Sequence, residues 1–176
     1  MNFPEHEMPI RRELGAAMLK FVEKVVATQI GNDEEDTVMR QVATEEYRQV
    51  VFKAARQNIE VSLCWHTLAV WTEEGKERVG HFARALECRR AETAAHPPKT
   101  PKEIWGDVHM QADCLFEIGR VHFYEGSPEV ARRFLDEALL LAQRADALQG
   151  AAGVEDDRLE GRIAELMLQL PDENEA

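Results

Sequence analysis

Two apolar-periodic segments joined by Glu125-Gly126-Ser127-Pro128 leave the stretch from Trp105 to Ala142 one compact way to hide its hydrophobic residues. Leu115, Ile118 and Gly119 recur at helical spacing in the first segment, as do Ala131, Leu135 and Ala138 in the second. Glycine tolerates the left-handed conformation that ends a helix, and proline suits the first turn of the next. With so short a link the two helices must run antiparallel. Gly119 and Ala131 are small where the backbones approach, and Leu115, Ile118, Leu135 and Ala138 fill the seam.

The same rhythm extends along the chain. Leu14, Met18, Phe21, Val22 and Val25 predict a first helix from Pro9 to about Ile30, stopped by Gly31-Asn32-Asp33, with Asp33 or Asp36 as the next cap. From Glu34 to Glu74 there is neither glycine nor proline. One helix of that length exceeds the usual range of about 8 to 20 residues, so a break is placed near Arg56-Gln57-Asn58, with Asn58 capping the second piece. Trp65, Leu68 and Trp71 give that piece a bulky apolar side.

Val79, Phe82, Ala83 and Leu86 mark a helix from about Lys76 to Ala95, ended by His96-Pro97-Pro98-Lys99-Thr100-Pro101. Thr100 and Glu103 form a capping-box pattern that opens a helix at Pro101 and carries it to about Tyr124. The following helix runs from Pro128 to about Ala147, stopped by the run Gln149 to Gly153. Leu159, Ile163, Leu166 and Leu170 then make one apolar stripe opposite Asp156, Asp157, Glu160 and Arg162, which suits a terminal capping helix.

The expected fold is all-α: a single domain over residues 1–170, with hairpins at about 9–55, 57–95 and 101–147, a cap at about 154–170 and an acidic tail at 171–176. An irregular helical bundle is the alternative packing of the same elements. Repetition between hairpins is degenerate. Gly75 echoes Gly126, and Ala85-Leu86-Glu87 echoes Ala138-Leu139-Leu140, with a gap two residues shorter in the earlier copy.

Leu115, Ile118, Gly119 and His122 stand where a tetratricopeptide repeat has Trp-x-x-Leu-Gly-x-x-Tyr, with Ala131 and Leu135 at the Ala-x-x-x-Phe spacing. Over about 105–145 the chain therefore resembles tetratricopeptide-repeat proteins. It departs from them at Leu115 for Trp, His122 for Tyr, Leu135 for Phe and Gln143 for the closing Pro. The resemblance implies hairpins stacked in a short right-handed array whose concave face, made by the first helix of each hairpin, holds a partner's peptide. Carried onto this chain, the peptide-binding positions are Asp113, Phe116, Arg120 and Phe123. The two rings would take apolar side chains, and the Arg120 fork would take a carboxylate. Packing of Phe116 and Phe123 against a neighbouring hairpin is the competing reading. The function implied is an adaptor or chaperone-like protein-binding module.

Composition narrows the alternatives. With 21 Lys and Arg against 33 Asp and Glu, the net charge of -12 disfavours nucleic-acid backbones and anionic membranes. Cys64, Cys88 and Cys114 are odd in number and widely spaced, which fits a reducing compartment rather than a disulfide framework. Neither a secretory signal nor eighteen consecutive apolar residues occurs, so the expected setting is the cytoplasm. No phosphate loop or nucleophile elbow is present, and no catalytic residue or cofactor is expected.

His109, Asp113 and Glu117 share a helical face where a metal could in principle sit, although solvated or salt-bridged faces look the same. The second function class is a metal- or small-molecule-binding regulator or enzyme with a pocket among Trp65, His66, His109 and His122. Self-association through the N-terminal hairpin is compatible with the adaptor reading. The acidic runs 33–36 and 155–157 read as helix-start carboxylates.

Overall fold

The computed structural model describes residues 9, 12–17, 19–20, 34–56, 61–70, 72, 75–154 and 158–171. Outside the described residues lie Met18, Phe21, Val22 and Val25 of the expected first helix and its Gly31-Asn32-Asp33 stop. So do the Asn58 cap, Trp71, the run 155–157 and the tail after Pro171. Among the described residues every regular element is an α-helix: α1 (Glu34–Arg56), α2 (Ser62–Val70), α3 (Gly75–Ala95), α4 (Pro101–Tyr124), α5 (Pro128–Ala152) and α6 (Leu159–Met167). Residues 12–17 and 19–20 are helical as well. None of the helices is long and apolar enough to cross a membrane among the described residues.

The chain divides into two compact units, Met1–Trp71 and Thr72–Ala176. In the first, the glycine-free stretch is two helices, α1 and α2, packed on one another. Tyr47, Val51 and Ala54 of α1 and Cys64, Trp65 and Leu68 of α2 are buried. The Trp65 ring meets Phe52 edge-on, with centroids 5.9 Å apart at 78°. Burial pushes the Tyr47 hydroxyl well above the usual phenol range, so it stays neutral.

In the second unit α4 is central: α3, α5 and α6 all pack against it. Its start follows the capping box. The Thr100 side chain accepts from the Glu103 N–H at 3.2 Å, and the Glu103 carboxylate accepts from the backbone N–H groups of Lys99 at 2.8 Å and Thr100 at 3.0 Å. Those bonds hold the Glu103 carboxyl below the usual glutamate range.

Cross-links show α3 and α4 to be antiparallel. Arg89 and Thr93 near the end of α3 bond Asp107 near the start of α4, while Gly75 at the start of α3 faces Val121 and Glu125 at the end of α4. Gly75 is thus a point of close approach and the first residue of a helix, not a second version of the turn at Gly126, which has φ 75°.

The α4–α5 hairpin forms as its spacing predicts. A Cβ on Gly119 would meet Leu135 Cγ at 2.9 Å and the Ala131 carbonyl oxygen at 3.2 Å, so the absent side chain sets how closely the helices approach. Leu115, Ile118, Ala131, Leu135 and Ala138 are all buried, and each of the larger ones contributes roughly 1.5–3 kcal/mol by leaving water.

α5 continues past the expected end near Ala147 to Ala152. The left-handed stop is Gly153, φ 66°, whose N–H donates to the Gln149 carbonyl at 2.9 Å, while Gly150 is accommodated inside the helix. α6 then packs on α5 and α4 with Leu159, Ile163 and Leu166 buried, and Leu170 is buried just beyond it.

Candidate functional site

Glu117 lies in the middle of α4 with its side chain buried, and a carboxylate taken out of water needs cations around it. Three arginines supply them. Glu117 Oε2 accepts from Arg78 Nη2 at 2.9 Å and from Arg120 Nη2 and Nε at 2.6 and 3.2 Å, while Arg162 Nη2 stands 3.8 Å from Oε1. The arginines come from α3, α4 and α6, so one carboxylate ties three helices together.

Aromatic faces hold two of these guanidiniums. Arg78 Cζ lies 5.5 Å from the Phe82 ring centroid and Arg162 Cζ 4.8 Å from that of Phe116. Each contact is of cation–π type and keeps the planar group oriented. The exposure is graded: Arg78 is mostly covered, Arg120 about one-third exposed and Arg162 half exposed. Among the described residues, Glu117 is the one carboxylate within ion-pair distance of any of the three. The cluster therefore carries three positive charges to one negative on a chain of net charge -12.

The four positions carried over from the repeat family divide. Asp113 and Arg120 are half-buried on the Glu117 side of α4. Phe123, one turn beyond Arg120, is half-buried and braces Tyr124, whose ring stands edge-on to it at 5.2 Å and is 70% exposed. Phe116 is 3% exposed beneath Arg162, which supports packing over ligand contact for that ring. Arg78 and Arg162 were not singled out from the sequence. The signal that points toward them is a glutamate on a largely apolar helix, which demands cations, but no spacing rule says which distant ones.

A second buried carboxylate does similar work at the other end of α4. Asp107 accepts from Arg89 Nε at 2.8 Å, from Gln111 Nε2 at 3.1 Å and from the Thr93 hydroxyl, fastening α3 to α4. Here Arg89 Nη1 also stands 3.6 Å from Glu92, so one cation meets two carboxylates and no positive surplus arises. His109 stacks on Trp105 at 4.6 Å and His122 on Phe134 at 5.8 Å, both nearly parallel, so each imidazole packs against a ring. Trp65 and His66 belong to the first unit. No group of three His, Cys, Asp or Glu side chains among the described residues is placed to hold a metal ion.

His81 is buried beside Thr72, Oγ1 to Nδ1 3.1 Å, and its Nε2 is 3.9 Å from Glu77. The order is that of a hydroxyl, imidazole and carboxylate series, with Thr72 and His81 both buried. A shallow depression of about 190 Å³ on α5, lined by Val130, Arg133, Phe134 and Glu137, is smaller than the usual 300–1,000 Å³ of a ligand pocket. No family model, curated protein or solved structure matches the chain.

Proposed function

We propose that the second unit is a protein-interaction module, adaptor or chaperone-like, that holds a peptide segment of a partner against α4. In this reading α4 and α5 are the first and second helices of one tetratricopeptide-like hairpin. α3 packs on α4 as a preceding helix of such an array would, and α6 caps the position where the next hairpin would begin. Antiparallel α3 on α4 and the contacts of α6 with both α4 and α5 support that assignment.

The observation that carries the functional reading is the pairing of a guanidinium surplus with an accessible aromatic edge along α4. Arg120 and Phe123 are three residues apart and so share a helical face. Arg162 widens the cationic patch, and Tyr124 widens the aromatic one. A segment suited to this surface combines an acidic group with a bulky apolar side chain. Arg forks and aromatic anchors are the side-chain types that concentrate binding energy at such contacts.

Selection from a displayed random-peptide library against the purified chain tests it. Enriched peptides are expected to share an acidic residue near a large apolar one and to lose binding when Phe123→Ala is introduced. Enrichment of peptides without acidic residues, or none at all, contradicts the reading.

A further inference from the structure

The Arg78–Glu117–Arg120–Arg162 cluster has more positive charge and more donors than its one carboxylate uses. Oε2 takes three N–H contacts, while among the described residues Oε1 has Arg162 at 3.8 Å, beyond hydrogen-bond range. Arg78 Nε is buried with no hydrogen-bond partner in the structure. The donors that an incoming acceptor can reach are those of Arg120 and Arg162, about one-third and one-half exposed. Three guanidiniums against one carboxylate leave two uncompensated charges, which a tetrahedral dianion would balance and a carboxylate would only halve.

We propose that this cluster is a binding site for a phosphoryl dianion, reached on the side of the half-exposed Arg162. A phosphoryl group brings about −1.5 to −2 charge near neutral pH and three acceptor oxygens, matching forked guanidinium donors. The whole chain, at net -12, repels anions at long range, so attraction to a phosphate must come from the local cluster. Two sources share this chemistry: a phosphorylated residue on a peptide, and inorganic phosphate. The first rests on the peptide-binding reading of α4; the second does not.

The full chain is titrated with inorganic phosphate at constant ionic strength, using chloride as the matched salt. A phosphoserine peptide, with its serine counterpart, forms a second arm. Saturable phosphate-specific stabilisation is expected, weaker at pH 5 than at pH 7.5 because the dianion takes up a proton between those two values. Arg162→Gln is expected to weaken binding roughly tenfold or more, as loss of one charge-assisted fork does, while Arg133→Gln on α5 leaves it unchanged. Arg162→Lys, which keeps the charge but loses the fork, gives an intermediate affinity and serves if the glutamine variant unfolds.

Absence of saturation by either phosphate or phosphopeptide overturns the site, as does equal affinity in wild type, Arg162→Gln and Arg162→Lys. Tighter binding of the phosphopeptide than of phosphate assigns the source to a partner segment. Equal binding assigns it to the free anion and counts against the peptide-binding reading. A selected peptide that binds with or without a phosphoryl group, on a chain that phosphate does not stabilise, overturns this site and leaves that reading standing.

Discussion

Glu117 and Arg78, 39 residues apart in sequence, meet at 2.9 Å across the α3–α4 interface, and the same carboxylate receives Arg120 and Arg162. A buried carboxylate so surrounded is required once its partners exist, because removing it leaves cations facing one another in a partly dry site. Glu117→Gln is therefore expected to destabilise the second unit by about 2–3 kcal/mol, below the fully buried case because the arginines reach solvent. The midpoint of urea unfolding measures it. A change under about 0.5 kcal/mol would show that the network is surface decoration.

Gly119 and Gly106 lie on the same helix and should respond oppositely to alanine. At Gly119 the new Cβ meets Leu135 Cγ at 2.9 Å and the Ala131 backbone oxygen at 3.2 Å, whereas at Gly106 nothing lies within 4 Å. Gly119→Ala should lose about 1–2 kcal/mol, overpacking outweighing the gain in helix propensity. Gly106→Ala should gain about 0.5–1 kcal/mol. Thermal unfolding of the two variants checks the pair, and a stabilising Gly119→Ala contradicts the packing of α4 on α5.

The capping box has a pH signature. The backbone N–H groups of Lys99 and then Thr100 lower the folded pKa of Glu103, so the folded state favours the ionised carboxylate. That contribution is fully present above the unfolded value of about 4.3 and fades as pH falls through the lower folded value. The stability difference between wild type and Glu103→Gln should be flat from neutral pH to about 5 and shrink below that. Urea midpoints of both proteins across this range decide it, and a difference that grows on acidification contradicts the assigned bonds.

Cys64, Cys88 and Cys114 are free and buried, and burial pushes the Cys114 thiol up to about 12, with the charges of Asp113 and Glu117 adding to it. Since the thiolate is the reactive species, native protein at pH 8 should react with a thiol-specific chromogenic reagent only as fast as it opens. All three thiols should react at once in denaturant. Rapid release from the native protein would place a cysteine at the surface.

Periodicity made the helices readable because a 3.6-residue repeat is local. Pro101 to Tyr124 came out to the residue, since a capping box at one end and Gly126 at the other are written within a few positions. The end of α5 was less legible: Gly150 and Gly153 are both plausible stops, and only the left-handed φ of Gly153 distinguishes them. Phe116 shows the harder limit. Its family position suggested a groove, yet Arg162 from another helix covers its ring, and the pairing of Arg78 and Arg162 with Glu117 likewise arises only on folding.

The proposal for the α4 face turns on Phe123, a ring with no ion-pair role in holding the helices together. Calorimetric titration of a library-selected peptide into wild type, Phe123→Ala and Arg120→Ala, each confirmed as folded by circular dichroism, measures its contribution directly. At least a tenfold loss of affinity in Phe123→Ala, and a comparable loss in Arg120→Ala, is predicted for residues at the centre of a contact. Unchanged affinity in both variants would contradict the assignment of this face.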